Sequence, residues 1–166
     1  MRDEKLMLIR DVPPAIIDAL DGVLAAQGLQ RVAMRELRED WTPLLSEPGG
    51  PVVFVLSQPQ NDWTACFSSL DAEVEWAITE ALAVGLEQPV IYALFSDTTD
   101  TYAYRYFESG VLHEEWLPDQ YDSPRLTSDS LIERLVTHGV PLALIDDRTL
   151  HFGAEHVLVG YAQART

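Results

Sequence analysis

The sequence predicts an α+β fold: a mainly antiparallel, twisted β-sheet with about three helices packed on it. Three observations carry that expectation. Several short stretches alternate with period two, most clearly Tyr102, Tyr104 and Tyr106 against Ala103, Arg105 and Phe107. Apolar residues recur at helical spacing in three longer stretches, centred near residues 20, 78 and 134. Strands also follow one another across turns of hairpin length, as antiparallel pairing requires.

The chain opens with a strand over residues 5–10. Pro13 and Pro14 then start a helix, where a missing N–H costs nothing. Ile16, Ile17, Leu20, Val23 and Leu24 form its apolar side, and Gly28 stops it. Residues 29–37 read as a half-buried strand, with Val32 and Met34 alternating against Arg31 and Arg35. A loop over 40–51 is marked by Pro43, Pro48, Gly49, Gly50 and Pro51, with Trp41 at its approach. The apolar run 52–56 and the alternating stretch 63–68 make a hairpin.

Asp71 begins the central helix, its acids suited to the positive N-terminal end. At 100° per residue, Val74, Ala77, Ile78, Ala81, Leu82 and Val84 form the expected core arc, with Glu73, Glu80 and Glu87 opposite. Trp76 falls on the polar side. After Pro89, strands over 90–95, 101–108 and 111–117 form a meander, followed by an acidic loop over 118–124. Ser130 and Glu133 match a capping box for a short helix bearing Leu131, Ile132, Leu135 and Val136. Two closing strands are expected at 141–145 and 156–161, around a turn at 146–148. The full order is β-α-β-β-β-α-β-β-β-α-β-β, in one domain over residues 1–166. Residues 1–40 and 51–117 are its candidate sub-units.

A chain of 166 residues is long enough to bury about 70% of its unfolded surface. No apolar run approaches the ~18 residues of a membrane helix, and the N-terminus lacks a basic, then apolar, signal pattern. A cytoplasmic location is the default, and no membrane association is expected. Cys66 is the single cysteine, which excludes an internal disulfide and fits a small buried hydrophobe. Net charge is −16, from 27 acids against 11 bases, ten of them arginines. Arginine over lysine, with abundant Ala, Leu, Val and Asp, reads as GC-rich bacterial codon usage. So acidic a chain is unsuited to nucleic-acid phosphate and leaves room for a basic protein partner. The densest acidic cluster is Glu114, Glu115, Asp119 and Asp122.

Catalytic motifs are missing. Gly49-Gly50 lies between prolines and opens no helix, and no GxSxG elbow or HExxH pair occurs. Asp146, Asp147, His151 and His156 make a solvated turn rather than a metal site, so neither metal nor cofactor is expected. Asp97 and Asp100 lack the glycine and terminal glutamate of a calcium loop. The least ordinary feature is aromatic: Tyr102, Tyr104 and Tyr106 on one strand face, joined by Tyr92 on the neighbouring strand, with Trp76 and Trp116 nearby. Such rings suit an interface or a planar ligand. Arg105, His113, Glu114 and Glu115 are their candidate polar partners.

The layout of tryptophan-bearing strand, helix and tyrosine-rich meander resembles small bacterial proteins without assigned activity, some toxin-neutralising immunity proteins among them. No motif is specific enough to carry residues across. The leading expectation is a non-enzymatic protein-binding domain, immunity- or accessory-protein-like. Two others stand beside it: a small-molecule site or enzyme with a pocket lined by Tyr102, Tyr104 and Arg105 or His113, and a homodimer formed through Trp76 or an edge strand.

Overall fold

A computed structural model describes residues 3–38, 41–45, 50–117, 126–145 and 155–163. It is an α+β fold of three layers. Eight strands form one sheet: β1 (Asp3–Ile9), β2 (Leu29–Leu37), β3 (Val52–Ser57), β4 (Thr64–Ser68), β5 (Val90–Ser96), β6 (Thr101–Glu108), β7 (Val111–Trp116) and β8 (His156–Gln163). Their order across the sheet is β2-β8-β3-β4-β1-β5-β6-β7, and each neighbouring pair runs antiparallel. Two helices, α1 (Pro13–Ala25) and α2 (Ala72–Leu86), cover one face. The helix α3 (Ser128–Thr137), the short α4 (Leu142–Ile145) and a 3-10 turn at Thr42–Leu45 lie on the other.

The central β1 explains the layering. Leu6, Met7, Leu8 and Ile9 are all buried. Period two sends Leu6 and Leu8 into the α3 layer and Met7 and Ile9 into the α1–α2 layer. A strand apolar on both faces folds stably only when both are covered. β1 and β2 are joined through α1 yet stand apart in space, with β8, β3 and β4 between them.

The hairpin and the meander form as expected. β3 pairs with β4, and Asn61 and Asp62, both at positive φ, turn the chain between them. β5, β6 and β7 pair in sequence. Ser109 and Gly110 take φ of 52° and 77°, the two left-handed positions of a tight hairpin turn.

Four local expectations are corrected. Residues 141–145 form α4 rather than a strand: the Leu144 N–H bonds the Pro141 carbonyl at 3.0 Å. Adjacent Leu144 and Ile145 both enter one core, which strand alternation forbids. The capping box of α3 lies one turn earlier than expected, with Thr127 and Ser130 exchanging side-chain and backbone bonds. β2 is not half-buried: of its nine residues only Leu37 is buried, because it ends the sheet.

The fourth correction concerns α2. Its buried residues are Glu75, Ile78, Thr79, Leu82 and Ala83. The buried arc is therefore turned by roughly a third of a revolution from the apolar arc. Val74 and Val84 are 36% and 62% exposed, and Ala77 and Ala81 also face solvent. Polar partners in the sheet draw Glu75 inward, and the buried Thr79 hydroxyl is satisfied within the helix by the Glu75 carbonyl at 2.7 Å.

Leu8→Ala, at the doubly covered strand, is expected to lower unfolding free energy by about 2–5 kcal/mol. Met34→Ala on the exposed β2 is expected to stay within about 0.5 kcal/mol. Urea denaturation of both variants checks the contrast; similar losses would contradict the layering.

Candidate functional site

The sheet divides the candidate residues into two groups. Strand alternation turns Tyr102, Tyr104 and Tyr106 toward α3, where Tyr102 and Tyr104 are buried and Tyr106 is half-buried. Tyr92 does not join them. It pairs with Arg105, and both face the α1–α2 layer. The tyrosine face is thus core, with hydroxyls led out to polar partners at its rim.

At that rim Glu114 is the hub. On β7 it stands opposite Tyr106, and Trp116 stands opposite Tyr104. Arg134 of α3 and His138 at its C-cap, one helical turn apart, reach down to the same carboxylate. Arg134 donates to Glu114 Oε1, and His138 Nε2 lies 3.1 Å from Oε2. Trp116 Nε1 donates to Oε1 at 3.4 Å, while the Arg134 guanidinium lies over the Trp116 ring at 4.3 Å. The His138 ring stacks on Tyr106, centroids 4.0 Å apart and planes 22° off parallel. Tyr106 donates its hydroxyl to Glu108 at 3.1 Å. Burial alone would raise the pKa of Glu114. Hydrogen bonds from Tyr104, Trp116 and His138, with the charge of Arg134, outweigh it and hold the carboxyl below its ordinary range. Burial, and then the bond to Glu114, push the Tyr104 hydroxyl up.

His113 stays exposed at the irregularity of β7, its ring centroid 6.2 Å from that of Tyr106. Asp119 and Asp122 of the expected acidic cluster lie outside the described residues.

On the opposite face, Arg105 explains Trp76. The guanidinium lies 4.6 Å from the Trp76 ring centroid and 4.9 Å from that of Phe107. Its Nε donates to Glu115 at 3.0 Å, and Glu80 is 3.8 Å from the other end. Trp76 meets Tyr92 edge-on at 5.5 Å. The ring that sequence periodicity places on a polar helix side is therefore half-buried beneath an arginine.

Sequence reading missed the one buried carboxyl among the described residues. Glu75, 2% exposed, accepts from Ser68 at 2.6 Å and from Tyr92 at 2.9 Å. Lys5 Nζ lies 3.3 Å away and also donates to the Leu70 carbonyl at 2.5 Å. Burial raises the pKa of Glu75, against the lowering effect of Ser68, Lys5 and Tyr92. Burial also pushes the neighbouring Cys66 thiol far up, followed by the charge of Glu75, so the sulfur is protonated and a poor nucleophile. In sequence, Glu75 looks like any acid of a helix start. Arg134 and His138 were missed too, although their spacing of four on α3 was a readable signal.

Chemically, both clusters are closed. Glu75 and Glu114 have donors around both oxygens. Tyr104 and Arg105 point to opposite faces, so they cannot line one pocket. A groove of about 200 Å³ lies elsewhere, against Ala33, Arg35, Leu44, Pro51, Val53 and Leu158. No group of three or more His, Cys, Asp or Glu that could hold a metal occurs among the described residues. Asp146, Asp147 and His151 lie outside them, and His156 is buried against Trp41. No helix among the described residues is long and apolar enough to cross a membrane.

The two carboxyls give opposite pH signatures. Glu114, lowered on folding, contributes stability that is present above the ordinary value of 4.5 and lost as pH falls through its folded value. Glu75, raised on folding, contributes stability below 4.5 that is lost as pH rises through its folded value. Thermal melts between pH 3 and 8 are expected to show Glu114→Gln closing its gap to the wild type toward acid. Glu75→Gln should close its gap toward neutral pH. Glu75→Ala, which strands Ser68, Tyr92 and Lys5, is expected to cost about 2–3 kcal/mol at any pH where the chain folds.

Comparison with known protein families, with characterised proteins and with solved structures finds no match to this chain.

Proposed function

We propose that the chain is a non-enzymatic protein-binding domain, acting in the manner of an immunity or accessory protein, and that the outer face of α2 receives a basic partner. One observation carries this reading. Val74, Ala77, Ala81 and Val84 form an apolar stripe turned to solvent along α2, with Glu73, Glu80 and Glu87 beside it. Neither α1 nor α2 contains a lysine, arginine or histidine, and α1 adds exposed Asp18 to the same layer. Small apolar side chains between glutamates suit a partner that brings apolar contacts rimmed by cations.

Two further points support a binding role over catalysis. The carboxyls with shifted acidity, Glu75 and Glu114, are held by protein donors and do not line the groove. The net charge of −16 favours fast encounter with a basic surface and a complex weakened by salt.

The test compares proteins retained from native-host extract by the wild type, Val84→Arg and Leu142→Arg. Both positions are exposed, so both variants should keep the wild-type circular dichroism. A specific partner is expected to bind the wild type and Leu142→Arg alike. Its affinity for Val84→Arg should be about 30-fold lower, the loss of a 2 kcal/mol hot spot. Equal recovery of all partners by Val84→Arg would sink the reading.

A further inference from the structure

On a surface that shares no residue with the α2 stripe, we propose that the free edge of β2 accepts an extended acidic protein segment as a ninth strand. An aliphatic side chain of that segment lies in the groove beside Ala33.

Among the described residues β2 pairs only with β8 and ends the sheet. Its irregularity falls between Arg31 and Ala33, so residues 33–37 run in unbroken register with residues 156–160. Along that stretch the outer N–H and C=O groups have no strand partner among the described residues, which makes a template for strand addition. The side chains do not protect it: Val32 and Met34 are 53% and 59% exposed.

The groove exists because bulk is missing. Ala33 stands opposite Gly160, and a Cβ built on that glycine would come within 3.4 Å of the Ala33 Cβ and 4.0 Å of Pro51 Cγ. Val53, Leu158 and Leu44 complete an apolar lining. At about 200 Å³ the space is below the roughly 300–1,000 Å³ of small-molecule sites and suits one inserted side chain.

Charge selects the occupant. In a chain of net charge −16, β2 itself carries Arg31 and Arg35 against Glu36, with Arg38 just past its end and Glu39 and Asp40 next in sequence. Arg31 already faces Asp21 at 3.6 Å, and Arg38 meets Glu155 at 2.6 Å. Arg35 lines the groove, is exposed and has no ion-pair partner among the described residues. A carboxylate next to the inserted aliphatic residue would complete it. A second copy fits less well: antiparallel self-pairing centred on Ala33 sets Arg31 of one copy near Arg35 of the other, between two molecules of high negative charge.

The test titrates the full chain with fluorescent nine-residue peptides, matched to the nine residues of β2. One alternates leucine and glutamate, and one has lysine for glutamate. Two acidic versions carry backbone N-methyl groups, on the leucines or on the glutamates. The acidic peptide should bind and slow hydrogen exchange at residues 33–37. Arg35→Glu should weaken it about tenfold or more, the loss of one charge-assisted bond. Only one of the N-methylated versions should lose binding, because only one of its edges faces β2. Four outcomes would overturn the proposal: equal binding of the lysine peptide, protection elsewhere than β2, no saturation by any peptide, or sedimentation and exchange showing β2 occupied by a second copy.

Discussion

The double burial of β1 governs the molecule. With Leu6 and Leu8 in one core and Met7 and Ile9 in the other, neither face of the central sheet tolerates water. Each buried aliphatic side chain contributes about 1.5–3 kcal/mol by leaving water. Helices must therefore lie on both sides, and the large aromatic rings are drawn into the layers between. Tyr104 and Tyr92 are both fully buried, on opposite sides of the sheet. A three-layer fold of this kind spends its aromatic area internally and leaves chemistry to rims and edges.

Burying tyrosines creates a second constraint, because each hydroxyl needs a partner. On one side Tyr92 finds Glu75, which in turn needs Ser68 and Lys5. On the other, Tyr104 and Tyr106 lead to Glu114, Arg134 and His138. These networks orient the helices as much as apolar contact does. Glu75 sets the rotation of α2 about its axis, and Glu114 ties α3 to the meander. In both, the carboxylate oxygens already accept bonds from protein donors.

Short-range physics was legible in the sequence, and long-range polar pairing was not. The Val52–Ser57 and Thr64–Ser68 hairpin, the meander and the opening strand follow from alternation, turn residues and apolar runs, whereas the burial of that strand on both faces was not read. The proline start and apolar side of α1 were equally plain: Ile16, Ile17, Leu20 and Leu24 are buried. The face of α2 was misjudged because burial of Glu75 depends on Ser68 and Tyr92, seven and seventeen residues away, and on Lys5 from the first strand. Trp76 was misjudged for the same reason, since Arg105 from β6 covers it. Residues 141–145 lacked a distinguishing signal, as a run of five apolar-rich residues fits a strand or one helical turn.

The misjudged helix face is also what makes α2 informative. Had its apolar arc been core, as periodicity implied, Val74 and Val84 would say nothing about function. Because the interior accepts Glu75 and Thr79 instead, four small apolar residues stay exposed on a helix that carries no base of its own. At the far edge the balance is reversed: β2 carries Arg31 and Arg35 against Glu36 where the chain as a whole is acidic, and its outer side has no strand among the described residues. Opposite charges on two separate surfaces limit self-association through either one alone. Under the two proposals, each surface takes a partner of different charge, a basic one at the helices and an acidic one at the sheet edge.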